Sequence, residues 1–308
     1  MPAISGFMIV KNVIRQGYPF AEAIASSLPV CDEFLISDGY SDDGTFEMLQ
    51  KIASLNKKVK LSRTEWEKKD LTVLADVSNK LREQCSSDYL FYVQAAEVVH
   101  EDNVKMLRAI PDLFPETETF SLPFVSAVAN LKIEEEFRLR ACKNLDRLNL
   151  TGDAWAFSVS KKFIRSEALH SLRRPKKLLR YVGRGIEWTF ASSFNTLRSK
   201  AVYLPKPIFR YPALFKANYI ERCKGHIEYL NVPGYRDVIR SIEQEEGEAF
   251  FEKVRQLLSG SLGVHYCGDF GVLKTEDHPR IIQEFITKRM TVPRYYVRDS
   301  VLDTIAKA

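Results

Sequence analysis

The sequence is short of the features that mark secreted, membrane-spanning and metal-stapled proteins. Its 308 residues include five cysteines, scattered without a Cys-x-x-Cys pair at Cys31, Cys85, Cys142, Cys223 and Cys267. This spacing argues against a zinc site and a disulfide framework, and it suits a reducing compartment. No apolar run approaches the ~20 residues of a membrane span. Because the N-terminal Met1 leads directly into an apolar strand rather than a signal peptide, we expect a cytoplasmic globular protein.

What is present is an ordinary globular composition, with 45% hydrophobic and 28% charged residues. A chain of this length can bury a sufficient hydrophobic core without disulfides or a structural metal ion. The net charge of +5 is mild, so only local clustering of charge is informative. One such cluster lies between 161 and 184, where nine lysines and arginines accompany a single acid, Glu167. A local positive field of this kind attracts polyanions, although a solvated loop is the simpler interpretation.

The hydrophobic pattern predicts an α/β fold. Apolar strand patterns alternate with helical segments of 10–15 residues through the first part of the chain, which indicates a mostly parallel sheet. The strands are predicted at 4–10, 34–37, 58–62 and 89–93. Later strand patterns at 119–128 and 137–142 have no helix between them, so we expect a mixed sheet in the second half. We predict one unit over 1–212, divided into halves at 110, followed by a helical C-terminal region over 213–308.

The most informative stretch is the polar turn between the second strand and its helix. It contains three aspartates and two glycines in the segment Ile36-Ser37-Asp38-Gly39-Tyr40-Ser41-Asp42-Asp43-Gly44-Thr45. In open α/β sheets ligands bind at the carboxyl ends of the strands, so Asp38 could accept hydrogen bonds from a base or ribose. Alternatively the turn is structural, and Asp42 or Asp43 caps the helix. Both interpretations remain open on these residues alone.

Together with Glu33-Phe34-Leu35 before it, this segment resembles the nucleotide-binding signature of family 2 glycosyltransferases. In that signature an apolar strand ends in aspartate and continues as Gly-Ser-x-Asp-Gly-Thr. Further segments follow the family order as far as Tyr211, namely Val10-Lys11-Asn12, Leu74-Ala75-Asp76-Val77-Ser78-Asn79, Phe91 to Glu101, Gly152-Asp153-Ala154 and Ile208-Phe209-Arg210-Tyr211. The resemblance implies a GT-A-like fold, and transfer of a sugar, with inversion, from a nucleotide sugar to an acceptor hydroxyl. A UDP-sugar is the expected donor.

The resemblance also implies roles for individual residues. The donor-binding positions are Lys11, Asn12, Asp38, Asp43, Asn79, Gln94, Ala96, Glu97 and Arg210. A glycosyltransferase must neutralise the departing diphosphate, with a divalent cation held by carboxylates or with Arg and Lys, and it must deprotonate the acceptor. Glu187, after a glycine turn, is the first candidate for the base, and Asp153 is the second. The structural alternatives are a first-turn helix residue for Glu187 and a turn residue for Asp153.

Two departures from the family pattern fall at the expected metal site. A subgroup of the family reads Gln-Ala-Asp-Glu-Val where this sequence has Gln94-Ala95-Ala96-Glu97-Val98, and Arg210 stands where a metal-binding histidine is often found. Neither alanine nor arginine can ligate Mn²⁺ or Mg²⁺, which leaves Glu97 as a weak ligand. Three interpretations remain open. The enzyme works without metal and Arg210, with Arg184 or Lys206, neutralises the diphosphate; Ala96 is an engineered inactivating change; or the chain has lost catalysis and only binds.

The basic cluster is the candidate acceptor surface. Its proposed acceptor-binding residues are Arg173, Arg174, Lys176, Lys177 and Arg184. They would suit a phosphate-bearing glycan or nucleic acid, including a hydroxymethylated base of phage-type modified DNA. The rival from another class is a non-catalytic nucleotide-sugar-binding protein, which would not hydrolyse the donor. A nucleotidyltransferase would need a glycine-rich basic loop after the first strand, and the segment 11–15 has none.

Overall fold

The computed structural model describes residues 1–67, 69–154, 157–159, 199–261, 271–289 and 291–308. The strands are β1 Ile4–Val10, β2 Glu33–Asp38, β3 Val59–Arg63, β4 Tyr89–Tyr92, β5 Glu97–Val98, β6 Thr119–Val128, β7 Leu131–Lys143, β8 Leu148–Leu150, β9 Phe157–Val159, β10 Ser199–Ala201 and β11 Ile208–Ala213. The helices are α1 Val13–Gln16, α2 Phe20–Ser27, α3 Thr45–Leu55, α4 Thr72–Arg82, α5 Val104–Leu113, α6 Lys216–Leu230, α7 Tyr235–Ile242, α8 Gly247–Ser261, α9 Arg280–Lys288 and α10 Asp299–Lys307.

A mixed sheet forms the centre of the structure. Its strand order is β3-β2-β1-β4-β7-β6-β11-β5, and β10 pairs with β6 beside β11. The strands β1 to β4 run parallel, while β7 is antiparallel to both β4 and β6. The predicted α/β class, with a parallel first half and a mixed second half, is therefore confirmed.

Helices cover both faces of the parallel strands, which explains why those strands are almost continuously apolar. Alternate residues of β1 point to opposite faces. Met8 packs in the cluster that contains Ile24 of α2 and Leu49 of α3, whereas Phe7 packs in the cluster that contains Leu81 of α4. Burial on both faces fixes the position of β1, and hence of the polar residues that follow its carboxyl end.

A buried carboxylate joins β1, β2 and β4 near their starts. Glu33 accepts hydrogen bonds from the hydroxyl of Ser5, from the backbone N–H of Ser86 at 2.7 Å and from the ammonium of Lys60. Burial alone would raise the pKa of Glu33, but these hydrogen bonds outweigh it and lower the pKa from 4.5 to about 2. Glu33 is therefore ionised throughout the physiological pH range.

The first four predicted strands agree with the structure to within one residue at each end, but β7 starts earlier than predicted and the helical region contains a break. The strand expected at 137–142 begins at Leu131. The sequence does not predict this early start, because the segment 132–136 is rich in Lys and Glu, which are depleted in strands. Within the predicted helical region, the chain from 235 to 261 forms two helices, α7 and α8. Gly247, the first residue of α8, adopts a φ of 55°, which interrupts the helical path.

The helical C-terminal region is confirmed, and it packs on the first half of the chain. Phe285 of α9 and Ile305 of α10 lie in the same core cluster as Phe20 of α2. The division of the chain near Pro212 stays a prediction. Among the helices of the described residues, none has the length and apolarity that a membrane crossing requires.

Candidate functional site

A cavity of about 390 Å³ lies at the carboxyl ends of β1 and β4. Lys11 follows β1 there, and Gln94 and Ala96 follow β4. One side is formed by Trp66 and the start of α4, and the other by α6 and α7; Arg210 of β11 and the exposed Asp153 complete the lining. The carboxyl edge of a parallel sheet is where open α/β folds bind ligands. The cavity is therefore the candidate functional site.

The charges on the lining favour an anionic ligand. Of the described lining residues, Lys11, Arg210 and Arg222 are cationic and Asp153 is acidic. Burial, together with the neighbouring guanidiniums of Arg138 and Arg222, lowers the pKa of Arg210 to about 10, so it stays protonated at neutral pH. Burial lowers the pKa of Lys11 as well. An anion in the cavity would offset the repulsion among these cations.

The two signature aspartates face the protein rather than this cavity. Asp38 is fully buried and accepts hydrogen bonds from the backbone N–H of Ser41 at 3.1 Å and from Nε of Arg63 at 3.0 Å. Asp43 accepts from the backbone N–H groups of Arg15 at 2.7 Å and Thr45 at 3.0 Å. Their carboxylates organise the turn, as the structural interpretation proposes, but the N-cap of α3 is Gly44 without a side-chain cap hydrogen bond, so the predicted helix cap by Asp42 or Asp43 is wrong. Donor-binding roles for both residues stay predictions.

Lys11 and Asn12 connect the turn to the C-terminal region. Asn12, at a φ of 52°, accepts a hydrogen bond from the backbone N–H of Asp42 at 2.9 Å and donates one to the hydroxyl of Tyr229 at 2.9 Å. The ammonium of Lys11 lies 5.2 Å from the ring centroid of Tyr229 and 5.7 Å from that of Trp66. The two aromatic rings thus flank the cation at the cavity wall.

The remaining predicted donor residues divide between cavity and scaffold. Asn79 exchanges two hydrogen bonds of 2.8 Å with the backbone of Leu150 and does not line the cavity. Gln94 lines the cavity, and its side-chain amide approaches the carbonyl of Ala154 at 3.5 Å. Asp153 precedes that residue, so the Gln94 side chain and the Asp153 turn form a continuous wall.

Glu97 lies behind the cavity and is engaged by arginines. Its side chain is 2% exposed, with Nη2 of Arg140 at 2.6 Å and Nη1 of Arg138 at 3.5 Å. Its second oxygen accepts a hydrogen bond of 3.0 Å from the backbone N–H of Gln94. The sequence reasoning did not single out either arginine. The sequence did contain a signal for them, because Arg138 and Arg140 are two positions apart in the apolar strand segment 137–142 and so lie on the same strand face.

These residues do not fit a carboxylate-held Mn²⁺ or Mg²⁺. Ala96 lines the cavity but offers no side-chain donor atom, and both oxygens of Glu97 are held by protein groups. Within the described ranges, no three His, Cys, Asp or Glu side chains are grouped so that they could hold a metal ion. The donor set of the described cavity is cationic rather than metal-ligating.

Several predicted residues lie outside the part of the chain that the structure describes. They are the first base candidate, Glu187, and the acceptor-binding set Arg173, Arg174, Lys176, Lys177 and Arg184. Their roles stay predictions.

The sequence reasoning missed the contribution of α6 to the site. Arg222, His226 and Tyr229 all line the cavity. The Arg222 guanidinium lies 5.0 Å from the ring centroid of Tyr18, and burial with the Arg222 charge lowers the pKa of His226 to about 4, so this histidine is neutral at pH 7. Their spacing of four and three residues puts these polar side chains on one helix face, a signal that was available in the sequence.

No protein-family model and no curated protein matches the chain. Among solved structures, it is similar to TarS from S. aureus, at 12% identity over 99% of this chain and 54% of that one, with a TM-score of 0.41. TarS 1–349 in complex with UDP-GlcNAc matches at 17% identity over 41% of this chain and 34% of that one, with a TM-score of 0.30. This chain thus spans about half or less of those two matched structures.

A third similar structure is the mannosyltransferase PcManGT from Pyrobaculum calidifontis in complex with GDP-Man and Mn²⁺. It matches at 14% identity over 84% of this chain and 69% of that one, with a TM-score of 0.38. Likenesses of this strength assign no function and no site residue to this chain.

Proposed function

We propose that this chain is a GT-A-like glycosyltransferase that moves a sugar from a nucleotide sugar to an acceptor hydroxyl, with the cavity as its donor site. One observation carries the proposal. Residues that the family resemblance selects from four separate segments, namely Lys11, Gln94 with Ala96, Asp153 and Arg210, line the same cavity. A purely structural role for these segments gives no reason for their polar side chains to meet there.

The lining matches the chemistry of a nucleoside diphosphate sugar. Arginine binds phosphate through a planar fork of N–H donors, so Arg210 and Arg222 suit the diphosphate that leaves during transfer. Trp66 and Tyr229 offer flat apolar surfaces on which a base or sugar ring could stack. Charge that develops on a leaving group is stabilised best by groups already fixed in place, and Arg222 is buried in the fold.

Of the two candidates for the general base, Asp153 lies in the part of the chain that the structure describes. It is exposed on the cavity lining, where an incoming acceptor can reach its carboxylate. In the proposed reaction Asp153 takes the proton of the acceptor hydroxyl as the acceptor oxygen bonds to the anomeric carbon. The bond from that carbon to the diphosphate oxygen breaks on the opposite face, which inverts the configuration. Glu187, the first candidate from the sequence, lies outside the described residues and stays a second proposal for the base.

The donor and acceptor are proposed at the level of chemical class. UDP-sugars are the first donors to examine, and the basic segment 161–184 favours an acceptor that bears phosphates. Nothing among the described residues favours nucleic acid over a glycan. A second candidate function, binding of nucleotide sugars without catalysis, is favoured by Ala96 at the position of the expected ligand aspartate.

Donor turnover tests the proposal and separates the two candidates. The chain is incubated with UDP- and GDP-sugars, and release of the nucleoside diphosphate is followed by chromatography. A glycosyltransferase should hydrolyse one donor slowly, and Asp153→Asn should suppress the release while the exposed control Asp303→Asn does not. Donor binding without release would favour the binding protein. If the chain neither binds nor hydrolyses any of the donors, both functions are contradicted.

A further inference from the structure

Resting on the proposed function, we propose that the donor diphosphate is held without a divalent cation, by a clamp of two guanidinium groups, Arg210 from β11 and Arg222 from α6. Lys11 supplies a third cation from the end of β1. The C-terminal helical region would then form part of the donor site.

The fold holds the two arginines on the same cavity from different directions. Arg210 lies on β11, where it is paired in register with Glu97 of β5. Arg222 is 6% exposed and donates a hydrogen bond to the carbonyl of Pro212, two residues after Arg210 on the same strand. The charge of Arg222 is close enough to lower the pKa of Arg210. The Arg222 side chain is therefore held before any ligand arrives, and the backbone of Arg210 is fixed in the sheet, as a preorganised anion site requires.

The residues around the clamp leave little for a metal ion to bind. A cation at the expected position would need carboxylate oxygens, but position 96 is alanine. It would also have to compete with Arg140 and Arg138 for Glu97. Two guanidiniums carry the same formal charge as one divalent cation, so the clamp can neutralise the leaving group to the same extent. Glu97 becomes a positioning residue that holds the 94–97 turn through its bond to the Gln94 N–H.

The desolvation of these cations indicates what the cavity is built to receive. Lys11 donates to the carbonyl of Gly39 and Arg222 donates to that of Pro212, so these protein groups offset part of the cost of burial, while Arg210 and Arg222 still repel each other. Lys11, Arg210 and Arg222 converge on a cavity whose described acid, Asp153, stands exposed on the lining. A diphosphate offers several anionic oxygens to such a set, more than a single carboxylate does. The clamp therefore selects for phosphate groups rather than for the base or sugar.

The direct test needs no variant. Binding of uridine, UMP and UDP, and of the guanosine series, is measured by calorimetry on the unchanged chain in excess chelator and again with Mn²⁺. The clamp predicts equal diphosphate affinity in both conditions, and tighter binding of the diphosphate than of the nucleoside. Diphosphate binding that requires Mn²⁺ would overturn the clamp but leave the donor site intact. If no nucleoside or nucleotide binds, the proposed function fails and the clamp with it.

Substitutions then test the two arginines separately. Loss of a charge-assisted pair should reduce diphosphate affinity ~10- to 100-fold in Arg210→Gln and in Arg222→Gln, with nucleoside affinity retained as a check on folding. Arg222→Lys keeps the positive charge but loses the planar fork of donors, so its diphosphate affinity should lie between those of the unchanged chain and Arg222→Gln. The matched control is Arg240→Gln, an exposed arginine on α7 whose partner is Asp237 at 3.2 Å. Unchanged diphosphate affinity in either glutamine variant would contradict the clamp, whatever the chelator result.

Discussion

Replacing Glu97 with glutamine removes the shared counter-ion of two buried arginines. Glu97 lies 2.6 Å from Arg140 and 3.5 Å from Arg138, and the side chains of all three are at most 2% exposed. Removal of one member of a buried ion pair costs 3–5 kcal/mol, roughly, because a buried charge loses its compensation. Glutamine still accepts a hydrogen bond, and Arg138 keeps its contact with Glu136. We therefore expect Glu97→Gln to lower the free energy of unfolding by ~3 kcal/mol.

Equilibrium unfolding in urea measures this loss. With a slope of ~3 kcal/mol per molar urea, the midpoint should fall by about 1 M. The matched control is Glu83→Gln, an exposed glutamate at the end of α4, which should change the free energy of unfolding by less than ~0.5 kcal/mol. If Glu97 were instead reserved for a metal ion, its neutralisation would leave stability in chelator unchanged or raise it. That result would refute the assignment of Glu97 as an arginine counter-ion.

Three further perturbations test the site and the fold. Asp153→Asn should reduce transfer ~10²- to 10⁴-fold with donor affinity unchanged, and full turnover in this variant would remove Asp153 as the base. Because the folded pKa of Glu33 is about 2 against an ordinary value of 4.5, this carboxylate stabilises the fold above pH 4.5 and the stabilisation is lost as the pH falls toward 2. Glu33→Gln should flatten that part of the curve of unfolding free energy against pH, and an unchanged curve would contradict the assignment. Gly17→Ala should lower the free energy of unfolding, measured by thermal unfolding, by ~2–4 kcal/mol, because Gly17 has a φ of 68° and a Cβ there would overlap Asn218. The control Gly234→Ala has open space around it and should lower this free energy much less.

The parallel half of the sheet was predictable because its strands are buried on both faces. β1, β2 and β4 read as short apolar runs, and each is followed by a polar turn or helix start. The start of β7 was not predictable in the same way, because the segment 132–136 contains one apolar residue, Ile133, among Lys and Glu and so has no alternating apolar face. The break between α7 and α8 depends on the backbone conformation of Gly247, which composition alone does not reveal.

The candidate site was predictable in part. Lys11, Gln94, Ala96 and Arg210 meet in one cavity, although they come from strands that are distant in sequence. The sequence could not show how α6 packs against α1, where Asn218 donates hydrogen bonds to the carbonyls of Ile14 and Arg15, because that contact exists only in the tertiary structure. The spacing of Arg222, His226 and Tyr229 indicates one polar helix face, but only the fold shows that this face lines the cavity.

The sequence also could not predict the direction in which the Asp38 side chain points. An aspartate at a strand tip can turn toward a ligand or toward its own loop, and Asp38 does the latter, with Arg63 as its partner. The structural and functional interpretations of such a turn have the same residue pattern, so only the hydrogen bonds distinguish them.

The most direct test of the account is a crystal structure of the chain with UDP in the presence of chelator. We predict that the diphosphate lies in the cavity at the ends of β1 and β4, within hydrogen-bond distance of Arg210 and Arg222, with Glu97 still paired to Arg140. A diphosphate bound elsewhere, or one that binds only when a metal ion displaces Arg140 from Glu97, would contradict it.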